Sequence, residues 1–122
     1  MEKIRLEPKI KELVEALWLR GIETFQSCEG HRKYREHHPW IIFNISYLEM
    51  VQKLVYEYNK KDEREIHWKA DPYLSKSNCA LLMPIEDNAP LEKQQQSAED
   101  LAKEIKKPEK LPDTDTSPNA YC

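Results

Sequence analysis

The densest group of chemically reactive side chains in this 122-residue sequence is a short run in its first third. The run reads Ser27-Cys28-Glu29-Gly30-His31, with Thr24 three positions before it and His37 and His38 close behind it. A thiol, a carboxylate and an imidazole this close in sequence are groups that bind metal ions or support attack by a thiolate. The glycine predicts a tight turn, which would bring those side chains together.

One hypothesis is a metal site within this run. Cys28 and His31 have the spacing of a zinc half-site, and either His37 or His38 would provide the next ligand. Zinc is one candidate for the ion, whose identity the sequence leaves open, and the site could be structural or hydrolytic. The candidates for a fourth ligand are Cys79, Glu29, Glu36 and a water molecule.

The leading hypothesis is that the same turn binds an anionic ligand. Its backbone N–H groups can form an anion-binding nest, and the most basic stretch of the chain follows directly. Two aromatic residues nearby offer surfaces on which a base could stack. We therefore predict a binding surface for an anionic small molecule, a nucleotide or a nucleic-acid segment, made of Ser27, Cys28, Glu29, Gly30, His31, Arg32, Lys33, Tyr34, Arg35 and Trp40.

Three other interpretations of the chain stay open at this point. Cys28 could be a nucleophile with His31 as its base, although the sequence shows no clear acid to orient the imidazole. Cys28 could instead be a small buried hydrophobe, with Gly30 simply making the turn. Alternatively, the chain could be a protein-interaction module without a small ligand, which would use its C-terminal tail or an exposed sheet face.

Composition excludes several classes of protein. The formal net charge is -3, which argues against a protein that binds nucleic-acid phosphates over a wide surface. The chain has two glycines, which are too few for a glycine-rich phosphate-binding loop. No segment approaches the ~18 apolar residues of a membrane-spanning helix, and no apolar stretch follows the charged N-terminus as in a signal peptide. The three cysteines are widely spaced, so we expect a reducing cytoplasm rather than a disulfide framework.

Hydrophobic periodicity predicts the order α-β-β-α-β-β. A helix should run from Pro8 to a stop at Gly21, followed by strands at residues 22–27 and 40–45. A capping box at residues 46–49 should start a second helix, and strands should follow at residues 66–70 and 79–85, with Pro84 placing the end of the last one at a sheet edge. We expect an α+β two-layer sandwich with two helices on one face of a mainly antiparallel four-stranded sheet. The other face, with Trp40, Ile42, His67 and Leu82, would line a groove or bury a homodimer interface.

Composition changes after residue 88. Residues 89–122 contain few large apolar residues and several prolines, so we expect the folded α+β domain to span residues 1–88. The remainder should be a polar tail that allows one helix, at residues 97–107, and is disordered beyond Pro108.

Residues 8–45 resemble a group of small uncharacterised phage and prokaryotic proteins. The shared pattern is G-I-x-T-x-x-S-C-E-G-H followed by P-x-I-x-F, and the resemblance implies that Ser27 to His31 act as a unit. The turn is more distantly similar to the S-C-S-G-R turn of wybutosine-synthesising tRNA methyltransferases. Ser27, Cys28 and Gly30 match that turn, whereas Glu29 and His31 depart from it. The second similarity implies a turn that lines a nucleotide-facing pocket.

Overall fold

Three helices and four strands make up the part of the chain that the computed structural model describes, residues 6–31, 38–61 and 63–107. In chain order the elements are α1 (Pro8–Leu19), β1 (Thr24–Cys28), β2 (Trp40–Asn44), a 3-10 turn (Ile45–Tyr47), α2 (Leu48–Asn59), β3 (Trp68–Pro72), β4 (Cys79–Pro84) and α3 (Leu91–Lys106).

The strands form one sheet in the order β1-β2-β4-β3, and every neighbouring pair is antiparallel. The predicted α+β class is therefore confirmed. Strand β4 lies inside the sheet, so Pro84 ends an inner strand and the expectation of an edge was wrong. Pro84 is the last residue of β4, where it lies opposite Trp68 of β3.

The helices cover one face of the sheet. Ile41, Phe43 and Leu82 point into this layer, where all three are fully buried in a core that all three helices share. Leu82 therefore does not belong to the opposite face as predicted. His67 precedes β3, where its Nδ1 lies 2.6 Å from a carboxylate oxygen of Glu86.

The start of α2 also differs from the predicted capping box. The Asn44 side chain accepts the backbone N–H of Ser46 at 3.0 Å and caps the 3-10 turn, and the α-helix itself begins at Leu48. The Ser46 hydroxyl bonds to the same asparagine oxygen, so it does not cap α2.

The folded unit extends beyond the predicted boundary at residue 88, because helix α3 belongs to it. The helix begins at Leu91 and places Ala98, Leu101, Ala102 and Ile105 in the core, where it packs against α1. Its buried surface uses alanines and polar residues, so its apolar stripe is too narrow to recognise from periodicity. The folded unit thus extends through α3, and residues 108–122 lie outside the described part of the chain.

A buried hydrogen-bond network joins α3 to the sheet and to α2. The indole N–H of Trp68 donates to the Ser97 hydroxyl at 2.9 Å, and the Tyr58 hydroxyl lies 2.8 Å from the same oxygen. The guanidinium of Arg64 stacks over the Tyr58 ring at 3.7 Å. Burial raises the pKa of the Tyr58 hydroxyl above its ordinary value, against the opposing effects of Ser97 and Arg64.

Candidate functional site

The predicted reactive turn lies where β1 ends beside the first turn of α1. The Glu7 carboxylate accepts the backbone N–H of Glu29 at 2.8 Å, and the Glu29 carboxylate accepts the backbone N–H of Lys9 at 2.7 Å. Helix N-termini present unpaired N–H groups and partial positive charge, both of which favour carboxylates. Glu29 therefore anchors the turn to α1, and these two bonds fix the position of Cys28, the last residue of β1.

Three possible metal ligands meet at this corner: Glu7, Cys28 and His31. A Glu7 carboxylate oxygen lies 3.1 Å from His31 Nε2, and the oxygen, nitrogen and sulfur donor atoms all lie within 4.8 Å of one another. The Gly30 backbone N–H donates to the Cys28 sulfur at 3.4 Å. The side chains of His31 and Glu7 are 33% and 39% exposed, so the cluster is open to solvent.

Tetrahedral zinc requires these donor atoms to be somewhat closer. Zinc–ligand bonds of about 2.0–2.3 Å place neighbouring donor atoms about 3.4–3.6 Å apart. The Glu7–His31 pair already lies inside that limit. Binding would therefore bring the most distant donor pair closer by roughly 1.2–1.4 Å at most, which side-chain rotation at a partly exposed site can supply.

Helix α3 supports the turn from the other side. The Gln95 side chain donates to the backbone oxygen of Glu29 at 3.0 Å. Gly30 has a φ of 89°, and a Cβ there would lie 2.7 Å from Leu91 Cδ1 and 3.0 Å from the backbone carbon of His38. A glycine is thus required at this position for two reasons, backbone conformation and close approach.

Gly30→Ala should therefore cost more stability than the matched change Gly21→Ala. Both glycines have positive φ, but a Cβ at Gly21 would meet nothing within 4 Å. Each change should cost about 1–3 kcal/mol of conformational strain. Overpacking should add about 1 kcal/mol or more at Gly30 alone. Urea unfolding of the two variants measures the difference, and equal losses would contradict the tight packing of the turn.

The structure brings together some of the predicted ligands and leaves out others. Cys28 and His31 converge as expected, and Glu7, which was not among the predicted ligands, joins them. The His38 side chain does not join this group, and its Nδ1 lies 3.1 Å from the backbone oxygen of Pro39. Cys79 is buried on β4 and is not part of the group either.

Several other predicted residues lie outside the described part of the chain: His37, Glu36, Arg32, Lys33, Tyr34 and Arg35. The anionic-ligand hypothesis depends on the basic residues among them, so it stays a prediction. Ser27 and Trp40 are described, and both line a recess beside the turn. A larger groove of about 1080 Å³ lies between α2 and the ends of α1 and α3, and it includes none of the three cluster residues.

Comparison with known proteins gives no relative for this chain: no protein-family model, no curated protein and no solved structure matches it. The resemblances of its S-C-E-G-H turn therefore stay predictions. Within the described residues, no helix combines the length and the apolar character needed to cross a membrane.

Proposed function

We propose that this protein binds one transition-metal ion, with zinc the best fit, through Glu7, Cys28 and His31. The observation that supports this is the convergence within 4.8 Å of three donor atoms from separate positions in the sequence. Sulfur and imidazole nitrogen are ligands that zinc accepts readily, whereas magnesium and calcium prefer all-oxygen sites.

The site fits a zinc ion with an open coordination position better than a closed structural one. Structural zinc sites use four protein ligands, whereas catalytic sites use three and keep the fourth for water or substrate. The described residues supply three, and two of those side chains are more than 30% exposed. A zinc ion held there would supply Lewis acidity and a bound water that ionises near neutral pH.

The groups around the three ligands suit this role. The Gly30 N–H points at the Cys28 sulfur, the atom that binds metal as a thiolate, and holds it in place. One oxygen of Glu7 is held by the Glu29 backbone, which leaves the oxygen facing His31 to bind the ion. Such neighbouring hydrogen bonds orient ligands and raise metal affinity.

The test is an equilibrium zinc titration of the full chain against a chromophoric chelator, with native mass spectrometry for stoichiometry. We expect one zinc per chain and proton release on binding, because a thiol must lose its proton to bind the ion. The matched control is the triple variant Glu7→Gln/Cys28→Ser/His31→Ala, checked for folding by circular dichroism. Zinc uptake that is absent from the natural chain, or unchanged in the triple variant, would overturn the proposal.

A further inference from the structure

A small aromatic recess lies directly beside the proposed metal site. It has a volume of about 240 Å³ and runs along β1, with Trp18, Phe25 and Trp40 among its walls. Trp18 and Phe25 are 38% and 46% exposed, although large aromatic side chains are usually more deeply buried. The recess adjoins the site through neighbouring residues, because Trp40 is the cross-strand partner of Cys28 and Ser27 directly precedes it, although no cluster residue lines the recess itself.

The polar groups of the recess are uncharged. The Thr24 hydroxyl accepts the Trp18 indole N–H at 2.8 Å, which fixes the indole and leaves the hydroxyl hydrogen of Thr24 available. The side chains of Gln26 and Ser27 make no hydrogen bond with another described residue. None of the described residues that line the recess carries a formal charge.

These features distinguish between possible occupants. Flat indole surfaces favour a planar ring, and uncharged donors and acceptors favour polar ring edges over a purely apolar group. A cation would lack a carboxylate partner among the described lining residues. The volume is below the ~300–1,000 Å³ of drug-sized pockets, which suits one ring rather than a large molecule.

Addition of a peptide strand to β1 is disfavoured, although β1 is an edge strand of the sheet. Its pairing with β2 shifts register between Thr24 and Gln26, so Phe25 is an extra, bulged residue. Bulges twist an edge away from regular pairing and protect it against a further strand.

We propose that this recess binds a neutral, planar, single heteroaromatic ring with hydrogen-bonding edges, of the pyrimidine type. The inference rests on the proposed function for its chemical meaning. A bound ring would hold a substrate in place for reaction only if a metal ion occupied the site at Glu7, Cys28 and His31. The ring would contact Trp18 and Trp40, while a substituent would extend past Ser27 towards the cluster.

The test is a titration of metal-free protein with uridine, followed by NMR of the three tryptophan indole N–H groups. We expect saturable shifts at Trp18 and Trp40 and none at Trp68, which is 1% exposed in the core. The matched ligand is 5,6-dihydrouridine, which keeps the polar edge but loses the flat aromatic ring. Its binding should be weaker by about 5- to 150-fold, the effect of losing one base–aromatic stack.

Substitutions inside and outside the recess locate the bound uridine. Trp18→Leu and Ser27→Ala should each weaken uridine binding, whereas Tyr56→Leu, at a 65% exposed position on α2 outside the recess, should not. Equal binding of uridine and dihydrouridine, tighter binding of tetramethylammonium, or no saturation up to the solubility limit would overturn the inference. A parallel titration of the natural chain with zinc separates the two proposals. Uridine binding without zinc binding would contradict only the metal site, and zinc binding without uridine binding would contradict only the ring-binding recess.

Discussion

Replacement of Cys28 by serine should weaken zinc binding by at least about 100-fold. A hydroxyl is a much weaker zinc ligand than a thiolate. Removal of a group that only hydrogen-bonds to a ligand costs about 10- to 100-fold in metal affinity, so loss of the ligand itself should cost at least as much. His31→Ala should produce a loss of similar size, because it removes the only nitrogen donor of the cluster. Glu7→Gln should weaken binding less, since the amide retains an oxygen that can bind the ion.

The matched control for His31→Ala is His38→Ala. Both residues follow the same turn, but the His38 ring is not part of the cluster and lies instead beside its own chain at Pro39. Zinc affinity should therefore change by less than about threefold in this variant, since substitutions away from a special feature usually act within about 0.5 kcal/mol. Equal losses in the two histidine variants would place the ion elsewhere and contradict the assignment of ligands.

Ser97→Ala should lower the free energy of unfolding by about 2–5 kcal/mol, the cost of two buried groups without a partner less a small gain in helix propensity. The change removes the buried oxygen that accepts the Trp68 indole N–H and contacts the Tyr58 hydroxyl. Each buried polar group left without a partner costs about 1–3 kcal/mol. Alanine has the higher helix propensity, but that gain is only a few tenths of a kcal/mol. A small domain has about 5–15 kcal/mol in total, so the loss should be large and readily measured.

Urea unfolding followed by tryptophan fluorescence measures this loss. The control is Gln96→Ala, on the adjacent exposed position of α3, which should change the free energy of unfolding by less than about 0.5 kcal/mol. Equal stability of Ser97→Ala and the natural chain would mean that the network does not hold α3 to the sheet.

The expected sequence of elements follows from the residues alone up to β4. Hydrophobic spacing on α1 and on β2 is strong enough to identify both. Helix α3 is different, because Ser97 is of a residue type that commonly caps helices but lies in the middle of this one, facing the core. Its interface is built from alanines and hydrogen bonds, and neither leaves the apolar period by which a buried helix is normally recognised.

The candidate site was predictable only in part, because two of its ligands are close in sequence and the third is brought in by a tertiary contact. Cys28 and His31 are close in sequence, so their proximity follows from the turn at Gly30. Glu7 reaches the site only because α1 packs beside the end of β1, a tertiary contact that local spacing does not encode. The one sequence signal that could have indicated it is an acidic residue directly before the N-terminal proline of a helix.

The most direct test of the metal assignment is X-ray absorption spectroscopy at the zinc edge, on the zinc-loaded chain and on Cys28→Ser. We expect one sulfur at about 2.3 Å and the remaining nitrogen and oxygen ligands at about 2.0–2.2 Å. In Cys28→Ser the sulfur contribution should vanish. A spectrum with only nitrogen and oxygen ligands in the natural chain, or a sulfur that persists in the variant, would contradict zinc binding by Glu7, Cys28 and His31.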